Sequence, residues 1–397
     1  MNRPARHNSP TLHPRRRRRA RAGLPIAALV AALICPRAHA GDFADAVVNY
    51  TPAPGQFINS PAYNDPARAL GPPVGGGTAS PDNTKLVSLG GFGGSITLRF
   101  TPPLEDDPAN PFGLDAIVFG NASWVAANPN RRFAEAGVIE VSADDNANGL
   151  ADDAWYLIPG SHLPSPGTAL QGQAWDNNAS TPTPPANTAW YPGASFPGWP
   201  ASYVTTAFRL PALFESAVLT NPQGTSAAVE GTRGYADCAP TLVLGDTNAD
   251  NTPDAPLTPG EFYTAPDNPF AVGITPGSGG GDAFDLAHAV DPLTGAPARL
   301  RRADFVRVST AVNFIAGALG ELSTEVGAVA RVRPRPGFFD IDADTRCDTE
   351  DLYAWHAQPA LRRDLSGEGL VEDADLDMLT RCARRSESAD ATIGGAR

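Results

Sequence analysis

The amino-acid sequence predicts an all-β fold, an antiparallel β-sandwich or jelly roll over residues 41–330, followed by a small α-helical module over residues 338–385. Short apolar runs of β-branched and aromatic residues recur between turns, as is typical of strands. The connections between them are long and rich in glycine and proline, and no run of ten or more residues has helical periodicity there. The predicted strands are residues 46–50, 86–89, 95–100, 116–119, 138–141, 241–244 and 305–308.

The first 40 residues are predicted to be a signal peptide. A basic region ends at Arg21, an apolar region covers residues 24–34, and an Ala-x-Ala cleavage site ends at Ala40, before Gly41. The apolar run is too short for a stable transmembrane helix, and no later run is long enough for one. A DNA-binding arginine tail is the rival interpretation, but it explains neither the apolar run nor the cleavage site. We therefore expect a secreted, extracellular or cell-surface protein.

Removal of the signal peptide would leave a strongly acidic chain. Nine of the 30 basic residues lie in residues 1–40, which contain no acid, so 21 basic residues would face 43 acidic ones with a net charge of −22. Such a surface repels nucleic acid and anionic membranes and attracts divalent cations. We expect no nucleic-acid partner and no transmembrane segment in the mature chain.

Two oxygen-rich turns interrupt the predicted strands. A 12-residue Ca²⁺ loop presents oxygen ligands from alternate positions, with glycine at position 6. The turn that begins at Asp144 matches positions 1, 3, 5, 6 and 9, and the turn at Asp246 matches positions 1, 3, 5 and 9. Neither has a carboxylate at position 12, and an Asx-rich hairpin turn is the alternative. The candidate ligands are Asp144, Asn146, Asn148 and Asp152 in the first turn, and Asp246, Asn248, Asp250 and Asp254 in the second.

No catalytic set can be assembled from the sequence, so enzyme activity is an open question that leans to no. The three histidines after residue 40 are widely spaced, without a metal-binding pair. A glycosidase needs two acids about 5 to 10 Å apart, and a close acid pair in an aromatic-lined cleft would favour one. Acids that serve as Ca²⁺ ligands would instead favour a binding role. The candidate acids are Glu135, Glu140, Glu321 and Glu325, and the candidate sugar-stacking residues are Trp124, Trp155, Trp190 and Trp199.

Eight phrases between residues 45 and 330 occur in the order typical of one protein group. They are residues 65–72, 87–100, 115–121, 135–142, 146–156, 284–291, 304–308 and 320–326. They resemble a group of exported cell-surface proteins of planctomycete- and Bacteroides-type bacteria. This resemblance implies export and carries no activity. The strand patterns are also similar to galactose-binding-like jelly rolls, which is an analogy of fold alone.

The C-terminal module contains two oxygen-rich loops in tandem, 24 residues apart. Each has side-chain oxygens at positions 1, 3, 5, 9 and 12, and an apolar residue directly after. Position 6 is Gly369 in the second loop but Thr345 in the first. Acidic surface turns are the alternative, but two in one register favour paired Ca²⁺ loops. The candidate ligands are Asp340, Asp342, Asp344, Asp348 and Asp351, followed by Asp364, Ser366, Glu368, Glu372 and Asp375.

The tandem resembles a dockerin module, whose loops also end in Asp-Leu, as Asp351-Leu352 and Asp375-Leu376 do here. The resemblance implies an EF-hand-like helical fold, Ca²⁺ as the cofactor and a cohesin-like partner. The Ser-Thr pair often seen at loop positions 10 and 11 is replaced in both loops, which puts the docking in doubt more than the Ca²⁺ binding.

Cys347 and Cys382 both belong to this module. In an oxidising compartment they could form a disulfide, and two separate thiols in the core are the alternative.

Together these patterns predict a secreted or cell-surface calcium-binding protein with a non-enzymatic binding or attachment role. Residues 331–337 would be a linker, and residues 386–397 a disordered tail. The partners we expect are a cohesin-like or other surface protein and a glycan. The alternative is an extracellular polysaccharide-degrading hydrolase that carries a dockerin.

Overall fold

The computed structural model describes most of the chain after residue 40 and consists mainly of strands in antiparallel sheets, with few helices. The predicted signal peptide and most of residues 159–235 lie outside the described residues. The described ranges are 41–53, 57–91, 94–135, 137–158, 169–170, 173–176, 202–205, 208–209, 218–219, 236–269, 271, 273–292, 294–310, 323–367 and 369–394.

The elements follow one another in this order. The strands are β1 (Ala46–Thr51), β2 (Val87–Ser88), β3 (Ser95–Glu105), β4 (Ala116–Phe119), β5 (Ser123–Val125), β6 (Asn128–Phe133), β7 (Gly137–Ser142), β8 (Tyr156–Ile158), β9 (Ala169–Leu170), β10 (Gln173–Asp176), β11 (Ser202–Thr205), β12 (Phe208–Arg209), β13 (Val218–Leu219), β14 (Asp282–Phe284), β15 (Arg302–Thr310), β16 (Glu325–Val326) and β17 (Ala328–Arg331). The α-helices are α1 (Pro259–Phe262), α2 (Pro336–Phe339), α3 (Thr349–Ala357) and α4 (Asp373–Gly394). Short 3₁₀ helices include Pro66–Ala69, Pro111–Gly113, Leu286–His288 and Pro359–Leu361.

The largest sheet has five strands in the order β1-β3-β15-β7-β8, and every pair is antiparallel. Val306 of β15 lies opposite Leu98 of β3 on one side and Val141 of β7 on the other. All three side chains are buried in the main hydrophobic cluster. This row of apolar side chains across three strands fixes the register, because a slip of one residue would turn the row to the opposite face.

A second sheet, β14-β4-β17, is buried on both faces. Ala116 and Val118 of β4 belong to the main cluster, whereas Ile117 and Phe119 belong to a separate cluster with Phe262 of α1. Burial of both faces explains why β4 is a continuous apolar run rather than an alternating one.

The structure contains six of the seven predicted strands, as β1, β2, β3, β4, β7 and β15. The prediction of a strand over residues 241–244 is wrong. Thr241 forms only an isolated bridge to Gly280, and the chain then turns so that the Asp246 amide donates to the Val243 carbonyl at 2.9 Å. Gly245, at φ +85°, makes this turn, and the apolar residues before it pack under a loop instead of in a sheet.

The C-terminal module is built from α2, α3 and α4 around its own hydrophobic cluster. Phe339, Trp355, Leu365 and Leu379 form the centre of this cluster, and Ala109 of the β-rich region joins it. Helical backbone continues to Gly394 and so covers most of the predicted disordered tail, 386–397.

Residues 331–337, the predicted linker, lie along the β-rich region. The Arg331 guanidinium donates to the carbonyls of Pro102 and Pro103, and Arg333 forms an ion pair with Asp42.

The module itself also contacts the β-rich region. Arg385 of α4 lies 2.8 Å from an Asp107 carboxylate oxygen, and Asn268 donates to the Gly367 carbonyl at 3.0 Å. In the part of the chain that the structure describes, no helix is both long and apolar enough to cross a membrane.

Candidate functional site

Asp340, the first residue of the first C-terminal loop, organises the backbone of that loop. Its carboxylate accepts hydrogen bonds from the amides of Asp344 at 3.0 Å and Thr345 at 2.9 Å, loop positions 5 and 6. Positions 4 and 6, Ala343 and Thr345, have positive φ, at 67° and 78°. These left-handed residues bend the chain around the carboxylate, and Thr345 adopts at position 6 the conformation for which Ca²⁺ loops use glycine.

The second loop repeats this arrangement with glycines. Asp364 accepts from the amide of Gly369, at position 6, at 2.6 Å. Positions 4 and 6 are Gly367 and Gly369, with φ of 85° and 89°. The Ser366 hydroxyl donates to Asp364 at 3.1 Å, so the first two predicted ligands of this loop are in contact.

The aspartates at position 12, Asp351 and Asp375, close the two loops in the same way. One carboxylate oxygen of Asp351 accepts from the amides of Ile341 and Asp342, and the other accepts from Asp348. Asp375 accepts from the amides at the same three positions of its loop, those of Leu365, Ser366 and Glu372. Both side chains are buried. A buried carboxylate that accepts from three N–H donors is fixed in position at the end of its loop.

The donor set of the first loop fits a calcium ion. Carboxylate oxygens of Asp340, Asp342 and Asp351 lie within 4.8 Å of one another. Two ligands at opposite sides of a Ca²⁺ ion with bonds of about 2.4 Å are separated by about this distance. The pKa of Asp342 is raised, first by desolvation and then by the neighbouring carboxylates. Oxygen-only ligands with this convergence suit a hard divalent cation.

Not every predicted ligand joins this cluster. Asp348 accepts from the Glu350 amide at the start of α3 and forms an ion pair with Arg346 at 3.4 Å. Its carboxylate therefore serves as a helix cap. Glu350 lies within reach of Asp342 and Asp344, although its loop position, 11, gave no reason to select it. Glu368 lies outside the described residues.

The two loops of the β-rich region share the backbone of the C-terminal loops. Asp144 accepts from the amides of Asn148 and Gly149, positions 5 and 6, at 2.9 and 2.7 Å. Asp246 accepts from the amides of Asp250 and Asn251 at 3.2 and 2.9 Å. The first aspartate therefore accepts from the position 6 amide in all four loops, and also from the position 5 amide in the loops that begin at Asp144, Asp246 and Asp340.

These two loops close differently, because each lacks a carboxylate at position 12. Asp153, at position 10, accepts from the position 2 amide of Asp145 at 3.2 Å. Asp254, at position 9, does the same for Thr247 at 2.9 Å. Asp152 contacts the side-chain amide of Asn148, so it remains beside the predicted ligands. Asp153 is the carboxylate that the spacing rule missed.

No family model matches this chain, and neither does any curated protein. The interpretation of its sites therefore depends on their own chemistry.

A pocket of about 230 Å³ lies apart from the loops and is lined by two of the predicted candidate acids, Glu135 and Glu325. Both are buried. Burial raises the pKa of Glu325 to about 7, and the hydrogen bond from the Ser88 hydroxyl acts in the opposite direction. Burial also raises the pKa of Asp237 well above its usual range, and the Glu325 carboxylate adds to the effect.

Other candidates are placed elsewhere. Glu140 forms an ion pair with Arg307 at 2.7 Å, and that guanidinium lies over the Trp155 ring at 4.1 Å from its centroid. Glu321, Trp190 and Trp199 lie outside the described residues.

Cys347 and Cys382 are thiols in the structure, and both are buried in the core of the module. A hydrogen bond to Cys382, together with burial, raises the pKa of Cys347 well above its usual value. The two thiols share one hydrophobic cluster, and the disulfide stays a prediction.

Proposed function

We propose that this chain is an exported calcium-binding protein of the bacterial cell surface or extracellular space, with a binding or attachment role. In this proposal an antiparallel β-sandwich is joined to a dockerin-like, EF-hand-like double-loop module, and Ca²⁺ is the cofactor of both C-terminal loops. The loops that begin at Asp144 and Asp246 are further Ca²⁺ sites.

One observation carries the proposal: the two C-terminal loops repeat the same set of carboxylate–amide contacts. In each, the position 1 aspartate holds the amide of position 6, and a buried position 12 aspartate holds those of positions 2, 3 and 9. Amides satisfied in this way leave further lone pairs on the same carboxylates for a cation. Convergent carboxylates repel one another, and a divalent ion turns that repulsion into a folding energy.

Calcium binding is measured on the mature chain, residues 41–397, by isothermal titration calorimetry and by thermal unfolding with and without chelator. If the dissociation constant is about 10 µM, 1 mM Ca²⁺ stabilises the folded chain by about 2.7 kcal/mol. The matched variants are Asp340→Ala with Asp364→Ala for the module, and Asp144→Ala with Asp246→Ala for the β-rich region. Absence of both binding heat and a shift in unfolding temperature at 5 mM Ca²⁺, in the wild-type chain, contradicts the proposal.

The alternative of a polysaccharide-degrading hydrolase draws on the pocket that holds Glu135 and Glu325. These acids form a close pair in a pocket with aromatic residues, which is the arrangement expected to favour an enzyme. The first aspartates of the four oxygen-rich loops instead accept backbone amides of their own loops. Acids used in Ca²⁺ loops in this way favour the binding role. Release of reducing sugar from polysaccharides by the mature chain, lost in Glu325→Gln, would reverse the preference.

A further inference from the structure

The Glu135–Glu325 pair is held in place by groups outside the pocket. The Ser88 hydroxyl donates to one carboxylate oxygen of Glu325 at 2.6 Å, and the Thr324 hydroxyl donates to the backbone carbonyl of Glu135 at 2.6 Å. The Glu325 amide donates to Asp237 at 3.1 Å. Glu135 and Glu325 are only 4% and 2% exposed, yet both line the pocket. The pair is therefore built into the protein before any ligand arrives.

The two carboxylate oxygens of Glu325 differ in their contacts. Within the described residues, no N–H or O–H group donates to the second oxygen of Glu325, which is buried. Burial also raises the pKa of Glu325 to about 7, so the side chain offers an O–H donor or acceptor lone pairs according to pH. Glu325 therefore presents to the pocket a carboxyl group that can exchange hydrogen bonds with a hydroxyl group.

The remaining walls of the pocket are aromatic and amide groups. The rings of Phe57 and Tyr63 are 5.0 Å apart at an interplanar angle of 49°. The polar groups are those of Asn83 and Asn121, whose side-chain amides are hydrogen-bonded to each other at 3.3 Å. Flat apolar surfaces beside fixed donors and acceptors suit a ligand with one apolar face and several hydroxyl groups.

We propose that this pocket binds one pyranose ring of a neutral glycan and does not cleave it. The pocket volume is about 230 Å³, which is below the range of about 300 to 1,000 Å³ typical of pockets for larger ligands. This smaller volume suits a single ring. The Glu135–Glu325 pair and the two asparagine amides bind the hydroxyl groups, and the rings of Phe57 and Tyr63 pack against the C–H face. This inference rests on the proposed binding role and adds a ligand class to it. The Ca²⁺ loops do not line the pocket, and the sugar-binding measurements do not report on them.

The test uses the mature chain with Ca²⁺ present. Binding is first screened on a glycan array and then measured against methyl glycosides of common hexoses by saturation-transfer NMR and calorimetry. Tyr63→Ala removes a ring and Asn121→Ala removes an amide, and each should weaken binding at least tenfold. Glu325→Ala should abolish binding. Tyr353→Ala, the same change at an exposed tyrosine of α3, and Glu105→Ala, at an exposed acid, should bind as the wild type does.

Two results overturn the inference. One is that the wild-type chain binds no array glycan and no methyl glycoside. This outcome includes the case in which the pocket binds only Ca²⁺ or Mn²⁺ and loses that ion in Glu325→Ala. The other is that Tyr63→Ala and Asn121→Ala, folded by circular dichroism, bind a sugar as tightly as the wild type. Release of reducing sugar from a bound glycan overturns the non-cleaving part. Calcium titration of the same samples reports separately on the loops.

Discussion

Asp351 and Asp375 occupy equivalent places 24 residues apart, and each carboxylate accepts backbone N–H groups from positions 2, 3 and 9 of its own loop. Both are buried, at 1% and 0% exposure. The module is thus an internal repeat in which one aspartate of each copy closes its loop.

Replacement of Asp351 by alanine should destabilise the module by about 2 to 4 kcal/mol, because three backbone amides lose the buried carboxylate that accepts from them. Denaturant unfolding monitored by the fluorescence of Trp355, in the module core, measures the effect. Asp377→Ala is the control, since that carboxylate lies on α4 with 69% exposure. Equal free energies of unfolding for the two variants would show that the contacts of Asp351 contribute nothing to stability.

Thr345 and Gly369 form a natural comparison, because both have positive φ at loop position 6. Gly369→Ala should cost about 1 kcal/mol through backbone strain alone, since a Cβ there meets no atom within 4 Å. Thr345→Gly should relieve strain and stabilise the Ca²⁺-loaded chain by about 0.5 kcal/mol. Thermal unfolding in Ca²⁺ compares the two. A destabilised Thr345→Gly would mean that its side chain contributes more than its backbone strain costs.

Protonation of Glu325 should link stability to pH. Its pKa rises from 4.5 to about 7 on folding, so the folded chain favours the protonated acid. That stability is fully present below pH 4.5 and is lost as the pH rises through 7, by about 1.4 kcal/mol per pH unit over this window.

Glu325→Gln should therefore lose less stability than the wild type between pH 5 and pH 8. It should not become pH-independent, because burial also raises the pKa of Asp282 to about 7 and that of Asp267 to about 6. Urea unfolding at several pH values measures the slopes, and Glu105→Gln, at an exposed acid, should keep the wild-type slope. Parallel slopes in wild type and Glu325→Gln would show that folding does not raise the pKa of Glu325.

Oxidation should join Cys347 to Cys382, because both thiols are buried in the same hydrophobic cluster of the module. Mass spectrometry of peptides from protein exported to an oxidising compartment, alkylated under denaturing conditions, should show the linked pair. The Cys382→Ser variant is the control, in which Cys347 should be alkylated. Full alkylation of both cysteines in the exported wild type would leave them as core thiols.

The four oxygen-rich loops could be located from the sequence because their contacts are local. Each position 1 aspartate reaches the amide five residues later, and a spacing rule captures this geometry. The closing role of Asp153 was missed because the rule places a carboxylate at position 12, two residues further on. The strand predicted at residues 241–244 failed because an apolar run followed by a turn can pack under a loop as well as in a sheet.

The pocket could not be predicted, since its two acids are 190 residues apart in sequence. Pairing of β16 with β2 places Glu325 beside Ser88, and the hydroxyl of Thr324 reaches the chain at Glu135. The sequence offered both glutamates as acids among others, and only the long-range pairing selects them. The burial of Glu325 and its raised pKa follow from that pairing.

The contact of Arg385 with Asp107 gives the molecule a mechanical property. A flexible linker of seven residues would let the module rotate freely under tension, and little force would then reach the sheets. Here, tension applied to α4 passes through the Arg385–Asp107 ion pair and the Asn268–Gly367 hydrogen bond, in parallel with the main chain. A partner that binds the C-terminal module would therefore also determine the orientation of the pocket.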